Sequence, residues 1–382
     1  MPWQPKDLMD IKREFVELAL RPGANRRELC RRFGIGPKTA YALLARHAQE
    51  GPAALQQRSR RPHHSPARTP AEMEQAILTL RATNPSWGGR KLARRLLDLG
   101  YSGVPSPSTV TAILQRHGLI SAQASQAAQR WQRFEHEAPN VLWQIDFKGY
   151  FQTGMGKCHP LTLLDDHSRF NLALAACQRP DTPSVQEHLK TVFRRYGLPV
   201  RINADNGSPW GSPSGVEHGL SELSVWLIRQ GIRVSHSSPY HPQTNGKLER
   251  FHRSLKAEVL NGRSFDSLVH AQQAFERWRE VYNLERPHEA LAMCTPVQRY
   301  ECSPRPYTDK LAPIEYSPND VVLTVDWNGL VKYRGRKFKV SNALHRLPIA
   351  LRADPADDGC FDVFFCHQRF MRLDMSKKMT SN

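Results

Sequence analysis

Two periodicities divide the chain. Up to about residue 118 apolar residues recur at three- and four-residue spacing, as on amphipathic helices, and from Val141 onward alternation takes over. In Asn25–His47, Leu29 and Phe33 are followed by a Gly34-Ile35-Gly36 turn, after which Ala40, Leu43 and Leu44 resume the spacing. Pro37 suits the first turn of the second helix, and Lys38, Thr39 and Tyr41 fall near its exposed N-terminal end. The pair reads as a helix-turn-helix over residues 1–50 that presents these residues to DNA, or as an ordinary helical hairpin. Residues 71–120 show the same helical spacing, and AEMEQAILTLRATNP, GGRKLARRLLDLG and SPSTVTAILQRHG predict three helices, the last capped by Ser106 or Ser108. They form a second helix-turn-helix-like unit whose recognition helix begins near Ser108 and Thr109. Residues 51–70 lack apolar periodicity and read as a basic linker. Its Arg58, Arg60, Arg61 and Arg68 either follow a DNA backbone or are simply solvated. Residues 121–139 read as a polar connector.

NVLWQIDFKGYF places Val141, Trp143, Ile145 and Phe147 on one face and Leu142, Gln144, Asp146 and Lys148 on the other. Two strands follow in HPLTLLDDHSRFNLALAAC, joined by a turn at Asp165–Arg169, then a helix, the strand PVRINA, another helix and the strand IRVSHSS. The HPQTNG loop leads into a long helix from Thr244 to about Leu260. Residues 140–262 are thus expected to form an α/β core with a mixed five-stranded sheet. A helical extension follows over 263–300, with a helix near Phe265–Asn283, and a small β-barrel or sandwich over 318–375.

Composition narrows the partners. With 40% hydrophobic and 24% charged residues among 382, the chain can bury ordinary cores, and it has no apolar run long enough to span a bilayer. The N-terminus lacks the basic-then-apolar order of a secretory signal, so a cytoplasmic location is expected. Seven cysteines without a C-x-x-C pair fit reduced thiols. Net charge is +18, of which +11 falls in residues 1–140, and a polyanion such as nucleic acid is the natural partner.

Three acids invite chemistry: Asp146 inside the first core strand, Asp205 at a strand end, and Glu249 one turn into the long helix. Brought together they would repel one another without a cation, and oxygen ligands of this kind suit Mg²⁺ or Mn²⁺. Two such ions can activate an attacking oxygen and stabilise a leaving oxygen of a phosphodiester. On the helix, Leu248, Phe251, Leu255 and Val259 form a core stripe, with Glu249, Arg253 and Lys256 on an adjacent face. Taken singly, Glu249–Arg253 is also a surface ion pair at i,i+4, Asp205 an Asx-turn residue and Asp146 a strand-edge acid.

WQIDFKG, NADNGSPWG and YHPQTNGKLERFHRSLK resemble the three signatures of the DDE integrase core, shared by retroviral integrases and bacterial insertion-sequence transposases. LDDHSRF, YNLERPHEAL and TPVQRY resemble the bacterial branch, and the resemblance runs from about Trp131 to Tyr300. It implies an RNase H-like fold in which Asp146, Asp205 and Glu249 are catalytic and bind two Mg²⁺ or Mn²⁺ ions. It also implies that Lys256 contacts DNA near the reacting end, with Asn206, His241 and Gln243 lining the site; Arg253, on the same helix face as Lys256, is a further expected DNA contact. Asp165 and Asp166 match the turn of LDDHSR and are expected to be structural. Forty-three residues separate Asp205 from Glu249, more than is usual in the family, with the surplus assigned to the Ser208–Leu220 loop. The His/Cys zinc unit of retroviral integrases has no counterpart here, so zinc is not expected. The implied function is a bacterial, nucleoid-associated transposase, dimeric or larger when it reacts. It would bind an element's terminal inverted repeats in double-stranded DNA, cut there, and join the end to target DNA. A sequence-specific regulator derived from a transposase and a metal-dependent nuclease of the same fold are the alternatives.

Overall fold

The computed structural model describes residues 7–56, 68–120, 135–211, 220–236, 246–357 and 359–375, in two compact units covering 1–68 and 69–382. In the first unit α1 (Leu8–Ala19), α2 (Arg26–Arg32) and α3 (Pro37–Glu50) bury Phe15, Val16, Cys30, Ala40, Leu43 and Leu44 against one another. Asn25 caps α2, its Oδ1 accepting the Glu28 amide at 3.2 Å. A single 3₁₀ turn, Gly51–Leu55, seals the base of this unit: Leu55 is buried and its carbonyl accepts Lys12 Nζ at 3.2 Å. The segment expected as linker from residue 51 therefore belongs in part to the packed unit. The reason is that Ala54 and Leu55 supply apolar surface at the end of an otherwise polar run.

The second unit opens with α4 (Ala71–Thr83), α5 (Gly89–Asp98) and α6 (Pro107–Arg116) around Ile77, Trp87, Leu92, Leu96, Val110 and Leu114. The α/β core follows: β1 (Leu142–Phe147), β2 (Phe151–Thr153), β3 (Gly156–Asp165), β4 (Asn171–Cys177), α7 (Thr182–Tyr196), β5 (Arg201–Ala204), α8 (Glu222–Arg229), β6 (Arg233–His236), α9 (Gly246–Leu255) and α10 (Leu268–Glu280). The single strand expected through Phe151 breaks at Gly149, whose φ of 87° turns the chain into the short β2.

β4, β3 and β1 pair antiparallel, while β1, β5 and β6 pair parallel, so the sheet is mixed, and β2 adds a short sixth strand beside β3. Each face is covered. Trp143, Ile145, Leu161, Leu163 and Ile202 pack under α7 and α8, whereas Leu164 and Leu174 pack under α9 and α10. Burying each such side chain contributes about 1.5–3 kcal/mol. The opposite face of β1, bearing Gln144 and Asp146, is therefore turned toward α9.

The long helix expected to about Leu260 is regular only to Leu255 and widens into a π-helical turn at Lys256–Leu260. α10 ends in the same way, at Val281–Glu285. The C-terminal part holds an antiparallel sheet of β7 (Val321–Thr324), β10 (Pro348–Ala353), β11 (Cys360–Phe365) and β12 (Gln368–Asp374), with a separate hairpin of β8 (Leu330–Tyr333) and β9 (Arg336–Lys339). Sheet and hairpin share one apolar core, to which Val225 and Ile228 of α8 also contribute.

Candidate active site and nucleic-acid interface

The site starts from strand register. Trp143 pairs with Ile202 and Gln144 with Asn203 across the parallel β1–β5 ladder. The ladder ends there: Asp146 follows two residues on within β1, and Asp205 comes directly after the last residue of β5, near enough that its charge acts on Asp146. Asp146 lies near the C-terminal end of β1, on the face turned toward α9, and Asp205 directly follows the C-terminal end of β5, the usual location of α/β sites. Asp146 is half-buried. Burial first, and the charge of Asp205 second, push its carboxyl up to about 7, against the opposing pull of the Phe147 amide and Lys148. Asp205 Oδ1 accepts the Gly207 amide at 3.0 Å, and the Asp205 carbonyl lies 2.9 Å from His236 Nδ1.

α9 is laid over this pair by its buried stripe, Leu248, Phe251, Leu255 and, in the π turn, Val259. One polar residue interrupts the stripe. His252 is buried, and its Nε2 lies 2.8 Å from Thr162 Oγ1, whose hydroxyl donates to the Asp146 carbonyl at 2.9 Å. Thr162 is the residue directly opposite Asp146 on β3. With the threonine proton committed to Asp146, the ring must donate to Thr162. Burial, and then the charge of Lys148, hold the imidazole down at about 4, so it is neutral at ordinary pH.

The start of α9 is fixed by a second contact, a buried ion pair between Lys247 Nζ and Asp166 Oδ2. Asp166 also accepts Gln144 Nε2 at 2.9 Å and the His136 amide at 3.1 Å, while Asp165 accepts the amides of Asn140 and Ser168, each at 2.7 Å. The two acids of LDDHSR thus tie the turn after β3 to β1 and to the first turn of α9.

Glu249 lies on α9 one turn before His252, with its side chain exposed. Among the described residues no ion pair joins it to Arg253, so the plain surface-pair reading has no support. Nor do any three described His, Cys, Asp or Glu side chains stand close enough together to hold a metal ion. The structure therefore brings Asp146 and Asp205 together and puts Glu249 on the facing helix without closing the cluster. The two strand carboxylates fit a hard divalent cation: they offer oxygen donors only, and their mutual repulsion is what a cation would relieve.

Arg253 and Lys256 are exposed on the same helix, and Asn206 is exposed beside Asp205, whereas His241 and Gln243 lie outside the described residues. In the first unit Lys38, Thr39 and Tyr41 are exposed at the start of α3, while Arg60 and Arg61 lie outside the described residues. At α6 the cap is Ser106, whose Oγ accepts the Thr109 amide at 3.3 Å. Ser108 and Thr109 are exposed, with their hydroxyls 2.8 and 3.0 Å from the same oxygen. Sequence reasoning missed Lys247 and His252. A histidine one residue after Phe251 in a core-facing stripe was the available signal, because a buried ring nitrogen demands a partner.

The family profile described as an integrase core domain matches residues 136–242, and a second integrase core profile matches 230–296. A helix-turn-helix domain profile matches 11–63, a homeodomain-like profile 39–114, and the C-terminal domain of IS481 family transposases 320–381. An uncharacterised protein of insertion element IS407 from Burkholderia multivorans is 27% identical over 42% of this chain and 54% of its own length. Another, of insertion element IS476 from Xanthomonas euvesicatoria, is 25% identical over 62% of this chain and 67% of its own. The chain thus spans about half of the first relative and two thirds of the second. Among solved structures, the HTLV-2 integrase catalytic core domain in complex with magnesium aligns with a TM-score of 0.33 at 17% identity, covering 43% of this chain and 99% of that one. The chain thus combines an integrase core domain with helix-turn-helix domains ahead of it and an IS481-type C-terminal domain behind it, the domain set of a DDE-type insertion-sequence transposase with an integrase-like core.

Proposed function

We propose that the protein binds the terminal inverted repeats of its insertion sequence and catalyses divalent-metal-dependent strand cleavage followed by strand transfer into target DNA. The observation that carries this reading is that Asp146 of β1 and Asp205, at the end of the adjacent parallel β5, are close enough for the charge of Asp205 to raise the Asp146 carboxyl, with Glu249 on α9 over the same face of β1. These three carboxylates would hold two Mg²⁺ or Mn²⁺ ions, which when bound neutralise charge and polarise the phosphodiester. The protein's own residues do the rest. Asp146 on β1 and Asp205 at the end of β5 fix the cation site, and α9 delivers Glu249. Arg253 and Lys256, with Asn206, His241 and Gln243, hold the DNA backbone. The exposed starts of α3 and α6, with Lys38, Thr39, Tyr41, Ser108 and Thr109, and the linker arginines Arg60 and Arg61 read the repeat. Pairing two DNA ends calls for at least a dimer in the reacting complex, working in the cytoplasm at the nucleoid.

A Mg²⁺ assay with DNA carrying the element's ends tests this. Wild type should release the end and join it to a second duplex. Glu249→Gln should lose both reactions while retaining repeat binding in a gel-shift assay. Binding without any cleavage by wild type would indicate a regulator, and cleavage without joining a nuclease. Cleavage retained by Glu249→Gln would remove Glu249 from the metal set.

A further inference from the structure

The second helical unit is fastened to the α/β core by side chains that the cleavage chemistry does not use. Glu258 lies in the π-helical turn that continues α9, nine residues beyond Glu249. Its Oε1 accepts Ser86 Oγ, from the α4–α5 loop, at 2.6 Å and Arg286 at 3.0 Å, and its Oε2 accepts the Trp278 indole at 2.7 Å. The second π turn, after α10, faces the same unit. There Glu285 accepts Arg95 of α5 at 2.7 Å, and Val281 packs against the apolar core of α4–α6. Glu289 adds a looser pair with Arg90 at 3.8 Å.

This joint is specific rather than strongly adhesive. Among the described residues only Val281 of the core side enters the apolar cluster, while the polar contacts are directional, and Ser86 reaches a Glu258 carboxylate that Arg286 and Trp278 already hold and whose side chain is 11% exposed. Helices widen into π turns mostly at functional positions, and here both widened turns sit at one seam. The joint also leaves the start of α6 open, since Ser106, Ser108 and Thr109 are exposed while α5 and the Ser86 loop make the contacts. The reading surface is free, and its mounting is fixed to the helix that carries Glu249.

We propose that Glu258 is a positioning residue: it fixes the second helix-turn-helix-like unit to the α9 helix, so that the distance from the DNA bound at α6 to the scissile phosphodiester is set by a rigid joint. The proposal rests on the cleavage activity inferred above. Glu258 touches no reacting atom, and its loss changes where the strand is cut rather than whether it can be cut.

The test uses full-length protein in two assays. The first is hydrogen exchange of residues 71–118 in the absence of DNA. The second maps cut positions at nucleotide resolution on an end-bearing duplex with Mg²⁺. Wild type should protect α5 and cut at one dominant position. Glu258→Ala should deprotect α5 and spread cuts over neighbouring phosphodiesters, with total cleavage within about threefold of wild type, as expected when a contact outside the chemistry is removed. Should Glu258→Ala fail to fold, the charge swap at Arg95 and Glu285 decides the matter. Arg95→Glu and Glu285→Arg each spread the cuts, and the double swap restores the single position. One sharp cut position in folded Glu258→Ala, or in both single swap variants, overturns the proposal. So does a double swap no sharper than its parents. If wild type does not cleave at all, the proposed activity is what fails; unprotected α5 in wild type refutes the joint independently.

Discussion

Thr162 and His252 share a 2.8 Å hydrogen bond that links β3, the strand paired with the one bearing Asp146, to the helix bearing Glu249. Because Thr162 also donates to the Asp146 carbonyl, the bond connects two proposed catalytic elements through one hydroxyl. Its acid response follows from burial. An imidazole held at about 4 when folded, against about 6.5 when unfolded, binds fewer protons in the folded state. Folding stability is therefore full above about pH 6.5 and is lost as pH falls toward 4, by about 2–3 kcal/mol from this residue. His252→Gln keeps a donor for Thr162 but does not titrate. Urea denaturation near pH 7 and pH 5 should show a smaller difference for the variant, by about 2 kcal/mol. An unchanged difference would show that His252 is not held neutral by the fold.

Asp146 carries the opposite sign. Its carboxyl is raised to about 7, so the folded state binds the proton more readily than the unfolded chain, and stability falls as pH rises from about 4 to about 7. In the presence of a chelator at pH 8, Asp146→Asn should therefore be more stable than wild type, by about 1–3 kcal/mol, with the gain vanishing near pH 4. Adding Mg²⁺ should raise the melting temperature of wild type and leave that of the variant unmoved. A melting temperature of wild type indifferent to Mg²⁺ and Mn²⁺ would count against a cation at these carboxylates, independently of any activity assay.

The ion pair of Asp166 and Lys247 is buried on both sides, at 2% and 14% side-chain exposure. Removing one partner leaves the other uncompensated, so Asp166→Asn should cost about 2–4 kcal/mol. Burial and the nearby Arg169 already lower the Lys247 pKa, so part of that loss should be recovered at alkaline pH as the lysine gives up its proton. Lys247→Met should cost a comparable amount, and the double variant less than the sum, with a coupling of about 1–3 kcal/mol. Additive losses in denaturation would show that the pair does not anchor α9.

Much of this arrangement was legible in the sequence because its signals are local. The Gly34-Ile35-Gly36 turn, the alternation through Trp143 and Ile145, and the stripe of Leu248, Phe251, Leu255 and Val259 each follow from side-chain period, and all fall where expected. The strand break at Gly149 and the π turns at Lys256 and Val281 were not legible. The first depends on one glycine taking a positive φ, and the others on contacts with a helical unit far away in sequence. Asp146 and Asp205 could be named from strand ends, but their proximity needs the β1–β5 pairing, which no local pattern encodes. His252, Lys247 and Glu258 read as ordinary surface residues of a basic helix, because their partners Thr162, Asp166 and Ser86 lie on other elements.

Among the described glycines of the second helical unit, Gly89 alone has no room for a side chain. A Cβ there would stand 2.4 Å from Thr111 Oγ1 and 2.5 Å from the Pro107 carbonyl, and the carbonyl belongs to the first turn of α6 and cannot swing aside. Gly89→Ala should therefore push α5 and α6 apart and cost about 1–3 kcal/mol, although alanine favours a helix interior over glycine. The strain is confined to the helical unit, so the thermal transition of the α/β core should be little affected, while affinity for end-bearing DNA falls through displacement of Ser108 and Thr109. Fluorescence anisotropy with labelled duplex, read beside thermal melts, checks both parts. An affinity equal to wild type, in a variant that shows the destabilisation, would mean that α6 does not take part in DNA binding.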